Sequence, residues 1–110
     1  AHEWLSTIYV REGDKSAHYG VPILIDEAAP FSRKQICTHL ESMGIETRAM
    51  MMGCLPDQPA FRNLDHRVNG DLALSRVLRD RAFFVGCHPA LEDVHITNLH
   101  KALDSFYSKY

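Results

Sequence analysis

At 110 residues the chain fits one domain with one modest core. It is 45% apolar and 24% charged with a formal net charge of −2; this composition excludes a low-complexity polymer, and the scattered basic residues argue against an extended phosphate-neutralising face. Three cysteines, Cys37, Cys54 and Cys87, are odd in number and widely spaced. They make no CxxC and no four-ligand zinc spacing, so reduced thiols in a cytoplasmic protein are the simplest reading. No run is long enough to span a bilayer, and the opening residues, AHEW, do not read as a signal peptide.

In chain order, Trp4–Val10 (WLSTIYV) is β-branched and aromatic and reads as a strand, or alternatively as a helix end. Arg11–Gly20 is a polar loop. Val21–Asp26 (VPILID) reads as a buried strand, with Pro22 near its start where a missing N–H is tolerated. Ser32–Met43 is predicted as a helix. Ser32 and Gln35 are spaced as a capping box, Ile36, Leu40 and Met43 form one apolar stripe, and Gly44 follows as a left-handed C-terminal cap.

Ile45–Met51 reads as a strand, with Ile45, Thr47 and Ala49 alternating against Glu46 and Arg48. Strand, helix and strand in this span fit a βαβ unit or an antiparallel α+β layer equally. Leu55–Asn69 is a loop broken by Pro56 and Pro59 and anchored by Phe61. Leu72–Asp80 is a short helix with Leu74, Val77 and Leu78 as its apolar positions. Ala82–Gly86 (AFFVG) is a third buried strand ended by Pro89. Val94–Tyr107 is a long helix with a stripe of Ile96, Leu99, Leu103 and Phe106. The expected class is α+β (α/β): a small sheet of about three strands with helices covering one face.

Seven histidines invite a metal hypothesis, with His88, His95 and His100 near Cys87. His95 and His100 are five apart and so lie on different helical faces; surface or loop histidines are the expected reading, with no metal site. Cys37 and His39, two apart on a helix, point away from each other. Cys54 has no obvious base, and Cys37 and Cys87 read as small buried thiols. No GxSxG, Walker loop or GxGxxG occurs. Arg48, on a short strand, is either a solvated, ion-paired surface residue or an anion clamp. The methionine run beside it is core filling or an adaptable pocket wall. Asp71 reads as a turn residue or helix cap. Arg76, Arg79 and Arg81 read as a solvated helix face, offset by Asp80.

Four stretches in order carry a family resemblance: SAHYGVPILI (Ser16–Ile25), LESMGIETRAMMMGCLPDQPAF (Leu40–Phe61), RVNGDL (Arg67–Leu72) and FFVGCHPAL (Phe83–Leu91). Together they resemble the C-terminal domain of the DegT/StrS-type sugar aminotransferase and dehydratase family. These are fold-type I pyridoxal-phosphate enzymes, and the nearest look is to the branch of CDP-4-dehydro-6-deoxyglucose 3-dehydratases of lipopolysaccharide sugar synthesis.

The resemblance implies a small, mainly antiparallel sheet covered by helices, with residues 16–110 as the small domain and 1–15 as a lead-in or connecting segment. It implies nucleotide-sugar contacts from Arg48, Tyr19, Gly53 and Gln58. It implies pyridoxal or pyridoxamine phosphate (PLP or PMP) in a parent enzyme, bound by an N-terminal domain through a lysine, or beside a histidine in the 3-dehydratases. Lys15, Lys34, Lys101 and Lys109 lie in no matching context, and the iron–sulfur cysteines of some dehydratases have no counterpart. No catalytic residue and no cofactor is therefore expected of this chain alone. The implied partners are the nucleotide sugar, the N-terminal PLP domain and a second subunit, in the cytoplasm, with neither nucleic acid nor membrane. His18, Cys54 and His88 depart from the branch, which bears on substrate choice. Two rival expectations stand beside this one: a free-standing α/β small-ligand or protein-interaction module without catalytic activity, and a histidine metal binder.

Overall fold

A computed structural model describes residues 2–51 and 53–110. Ala1, at the start of AHEW, and Met52, the last of the methionine run, lie outside the described residues. In chain order the elements are β1 (Leu5–Thr7), β2 (Gly20–Ile25), α1 (Arg33–Ser42), β3 (Thr47–Ala49), a 3₁₀ turn (Leu55–Asp57), α2 (Ala73–Arg81), β4 (Ala82–Gly86) and α3 (Asp93–Tyr107). Among the described residues four strands make one sheet in the order β1-β2-β4-β3, every neighbouring pair antiparallel.

The topology resolves the strand–helix–strand ambiguity. β2 and β3 are both antiparallel to β4, so they run in the same direction with β4 between them. The segment is a split βαβ: α1 crosses over one intervening strand. The sheet gains a fourth strand, β1, from residues whose strand-or-helix reading was open, and it has no directly paired parallel strands.

Alternation along the strands builds the core. Phe83 pairs with Ile23 and Ala49, and Val85 with Val21 and Thr47. Phe83, Val85, Ile23 and Ile25 turn to the helix-covered face, where they meet Ile36 and Leu40 of α1 and Ala102, Leu103 and Phe106 of α3. Phe31 sits edge-on to Phe106, with ring centroids 4.9 Å apart. Trp4 stacks on Tyr107 at 5.4 Å and meets Phe31 edge-on at 5.9 Å, so the segment leading into β1 is held against the core.

Local chemistry explains the helix ends. Gln35 N–H donates to Ser32 Oγ, and Ser32 N–H donates back to Gln35 Oε1 at 2.8 Å, completing the capping box. At the other end Gly44 adopts φ +77°. Its N–H donates to Glu41 O and that of Ile45 to Leu40 O, both at 3.0 Å, which is a Schellman motif. Asp71 Oδ1 accepts from Ala73 N–H at 2.9 Å, an Asx turn leading into α2, so of its two readings, turn residue or helix cap, the turn is found; the N-cap position itself is Leu72.

Several boundaries are shorter than the sequence suggests, each for a physical reason. β3 starts at Thr47 because Ile45 N–H is spent on the helix cap. It stops at Ala49 because its partner β4 begins almost immediately opposite, emerging directly from α2. β1 ends at Thr7 because the next residue would face Pro22, which has no N–H to give; Thr7 Oγ1 donates to Pro22 O at 2.9 Å instead. Met43 leaves the apolar stripe of α1 because it sits at the C-cap, where the chain turns. Ile96 leaves that of α3 because the first turns of that helix stand clear of the core. α2 buries none of its residues; Leu74 and Leu78 are exposed.

Candidate functional site

A cleft of about 960 Å³ opens at the β3 edge of the sheet, between β3, the end of β4 and the start of α3. Its size is at the upper end of small-molecule pockets. Phe84 points away from the core, opposite Arg48 on β3 and Pro22 on β2. Its ring lies over Gly20, where a Cβ would collide with it, and Tyr19 leans on it with centroids 5.8 Å apart. Arg48, Tyr19, His88 and His95 supply the polar part of the lining, and Met43, Met51 and Ile96 part of the apolar wall. Arg48 Nη2 meets Glu46 Oε1 at 2.5 Å, with both side chains mostly exposed. A pair of that kind contributes little to stability and is readily exchanged for another anion.

The segment after β3 is organised differently. Gly53 has φ +52°, and a Cβ there would stand 2.7 Å from Arg79 Cβ, so the chain passes hard against the stem of Arg79. Cys54 is buried beneath the loop. Asp57 accepts from Arg76 Nε at 3.0 Å and Nη2 at 3.2 Å, and from Arg79 Nη1 at 2.5 Å. Arg79 turns its Nε and Nη2 to Asp80, at 2.6 and 2.7 Å. The bonds from Arg76, with help from the Cys54 thiol and Arg79, hold the Asp57 carboxyl down to about 2. Asp80 is lowered, chiefly by its bonds from Arg79, and Arg79 is raised, chiefly by its bonds to Asp80.

The four residues expected to touch a substrate thus fall into two groups. Arg48 and Tyr19 line the cleft. Gly53 and Gln58 belong to the loop clamped on α2, where Gln58 N–H donates to Leu55 O at 3.1 Å. Arg48 is ion-paired and mostly exposed, as its surface reading expects, and it also lines the cleft. Arg76 and Arg79 were expected to be a solvated face, yet both close on Asp57. The signal in the sequence is their i, i+3 spacing, which puts both on one helix face, opposite an acid held in the Pro56–Pro59 turn. The offset of Arg79 by Asp80 is as expected.

The thiols differ from expectation. Cys87 is exposed and Cys37 half-buried, while Cys54 is the buried one. Cys87 follows the last residue of β4, where the strand has left the core, whereas Cys54 lies under the loop. Burial pushes the Cys37 thiol up. His95 and His100 are exposed on α3; His95 closes a box at the start of that helix, where Glu92 N–H donates to its Nδ1 at 3.0 Å. Among the described residues no group of three or more His, Cys, Asp or Glu is placed to hold a metal, and no helix is long and apolar enough to cross a membrane.

The fold and this cleft meet a known class of protein. The chain belongs to the DegT/DnrJ/EryC1/StrS aminotransferase family, whose model matches residues 3–104. Its architecture, an antiparallel sheet covered by helices, is that of the C-terminal domain of fold-type I PLP enzymes. The chain is 32% identical over 91 residues to dTDP-4-dehydro-2,6-dideoxy-D-glucose 3-dehydratase of Saccharopolyspora spinosa, covering 83% of this chain and 20% of that protein. It is 27% identical over 105 residues to lipopolysaccharide biosynthesis protein RfbH of Salmonella typhimurium, covering 96% and 24%. It is similar in structure to E. coli GDP-4-keto-6-deoxy-D-mannose-3-dehydratase with bound hydrated PLP, at a TM-score of 0.80 and 26% identity, over 93% of this chain and 26% of that one. A point mutant of GDP-4-keto-6-deoxymannose-3-dehydratase (ColD) with bound GDP-perosamine superposes equally well. The chain therefore spans between 20% and 26% of the length of these relatives.

The described residues do not by themselves compose a site for pyridoxal phosphate. The cleft lining holds no lysine. Its arginine is paired with Glu46, and His88 and His95 each accept a nearby backbone N–H through Nδ1.

Proposed function

We propose that this chain is the substrate-positioning small domain of a nucleotide-sugar 3-dehydratase or aminotransferase, without catalytic residues of its own. In this reading residues 16–110 carry the domain, and the lead-in 1–15 adds β1 to its edge. PLP or PMP sits on an N-terminal domain of the parent enzyme, supplies the electron sink for a 4-keto sugar, and meets this domain in a cytoplasmic homodimer. Within the family we assign the substrate to the CDP-linked 4-keto-6-deoxyhexoses of lipopolysaccharide synthesis, on the strength of the four sequence motifs.

The observation that carries the reading is the cleft at the β3 edge of the sheet, in a domain superposing at a TM-score of 0.80 on a sugar 3-dehydratase. Arg48 offers a planar fork of donors suited to a phosphate or a sugar oxygen once Glu46 lets go. Tyr19 gives an exposed ring with a hydroxyl tip for the wall. Gly53 and Gln58, on the clamped loop outside the cleft lining, add further contacts to the sugar in this reading, and the domain orients the sugar and excludes water beside the reacting centre.

The test uses the full-length native polypeptide. Arg48→Ala is expected to weaken nucleotide-sugar affinity about tenfold or more, since a hydrogen bond to a charged group is worth about 1.5–3 kcal/mol. Comparing CDP-, GDP- and dTDP-linked 4-keto sugars by calorimetry tests the nucleotide assignment. Unchanged affinity in Arg48→Ala removes that residue from the site.

A further inference from the structure

Asp57 is the most heavily engaged side chain outside the cleft. Its two carboxylate oxygens accept the Arg76 fork and Arg79 Nη1, and its backbone carbonyl accepts Arg62 Nε at 3.1 Å. Each nitrogen of the two guanidiniums is engaged, through three of the five N–H donors on each. Arg76 gives Nη1 to Asp71 O at 2.6 Å, and Arg79 gives its other nitrogens to Asp80. Here every guanidinium nitrogen of Arg76 and Arg79 has a partner in the chain, and two arginines balance two aspartates, so the cluster holds structure in place.

What it holds is the stretch from Gly53 to Phe61. The backbone bonds of that stretch are local: Asp57 N–H to Cys54 O, Gln58 N–H to Leu55 O, Phe61 N–H to Gln58 O. Its grip on α2 comes from the Asp57 carboxylate and from the contact of Gly53 with the Arg79 stem. α2 runs without a break into β4, an interior strand of the sheet. The loop is thus registered to the sheet through α2, by a residue adjacent to Gln58.

We propose that Asp57 is a positioning residue: by clamping the Gly53–Phe61 stretch to Arg76 and Arg79 it sets where Gln58 stands for the sugar. The proposal deepens the functional reading above and rests on it for the sugar, while the clamp itself stands independently.

The experiment compares Asp57→Asn, Asp57→Glu and Arg76→Lys in the full-length polypeptide, with two readouts. The first is amide exchange at Phe61 and Arg62, whose N–H groups donate to Gln58 O, against amides of β4. The second is affinity for a CDP-linked 4-keto sugar. In Asp57→Asn the loop amides are expected to exchange about tenfold faster while those of β4 hold, and sugar affinity to fall about fivefold. Asp57→Glu, which keeps a carboxylate, should restore part of both. Arg76→Lys, which keeps the charge without the fork, should loosen the loop and serves if the aspartate variants do not fold. Loop exchange unchanged in Asp57→Asn, or in Arg76→Lys if that alone folds, overturns the clamp, whatever the affinity does. Faster exchange with unchanged affinity leaves the clamp standing, overturns the role of Asp57 in placing Gln58 and removes the loop from the sugar site.

Discussion

Phe83 and Phe84 are neighbours on β4 and open onto two differently built regions. Phe83 is fully buried beneath α1 and α3, in a layer of aliphatic and aromatic side chains with no polar or charged residue among the buried ones described. Phe84 faces the cleft, beside an arginine, two histidines and an exposed tyrosine, with the ion-paired loop lying beyond β3. The first region is held by removal of apolar surface from water, which has no preferred direction. The second is held by directed bonds and one close backbone approach, which fix geometry more than they add stability. A strand of five residues can serve both because its side chains alternate. One face makes the domain, and the other is left free to meet something else.

The comparison can be broken most forcefully at Phe83. Phe83→Ala should cost about 3–5 kcal/mol, a large part of the stability of a domain this size, through lost burial and the cavity left behind. Denaturant melts of the variant check this, and a midpoint near that of the parent chain would mean the helix-covered layer is not the core. A smaller effect is expected at Gly53→Ala, about 1–3 kcal/mol, because the substitution combines a positive φ with a collision against Arg79. Its thermal midpoint should fall; an unchanged value would mean that the loop does not pass against α2 as described.

The finest test is pH. The folded Asp57 carboxyl lies at about 2, against 3.8 for the free group. A depressed folded value makes its contribution complete above about pH 4, and that contribution is lost as the pH falls from there through about 2. Asp80, also lowered, titrates in the same direction. Asp57→Asn should therefore flatten the acid limb of stability between about pH 4 and 2, read as denaturant midpoints in steps across that window. An acid limb as steep as the parent's would show that the Asp57 pair is not formed in solution.

The fold was legible wherever the signal is local. The capping box at Ser32 and Gln35, the left-handed Gly44 and the AFFVG strand are all written within a few adjacent residues, and each is found where the pattern puts it. Half of the candidate site was legible in the same way. Arg48 on an alternating strand had to face out or pair, and it does both. The rest was hidden because it depends on partners distant in the chain. Asp57 and Arg79 are 22 residues apart, and no local rule says that a turn acid will fold onto that helix face. Cys87 is exposed against expectation, and Cys54 is buried, because burial depends on what covers a residue. Met43 and Ile96 keep the helical period but lie beyond the layer that the period serves.

By itself, then, the sequence determined the helices, the caps of α1, the alternation of the strands and, through its ordered motifs, the family. Those properties rest on φ/ψ preference, hydrogen bonds across a few residues and the periods of helix and strand. Only the tertiary structure decided that β4 enters between β2 and β3, that Trp4 joins the core, and that Arg48 and Tyr19 share a cleft while Gln58 is held elsewhere by Asp57. Those outcomes depend on which surfaces meet, and meeting is a matter of whole-chain packing, which short-range chemistry does not specify.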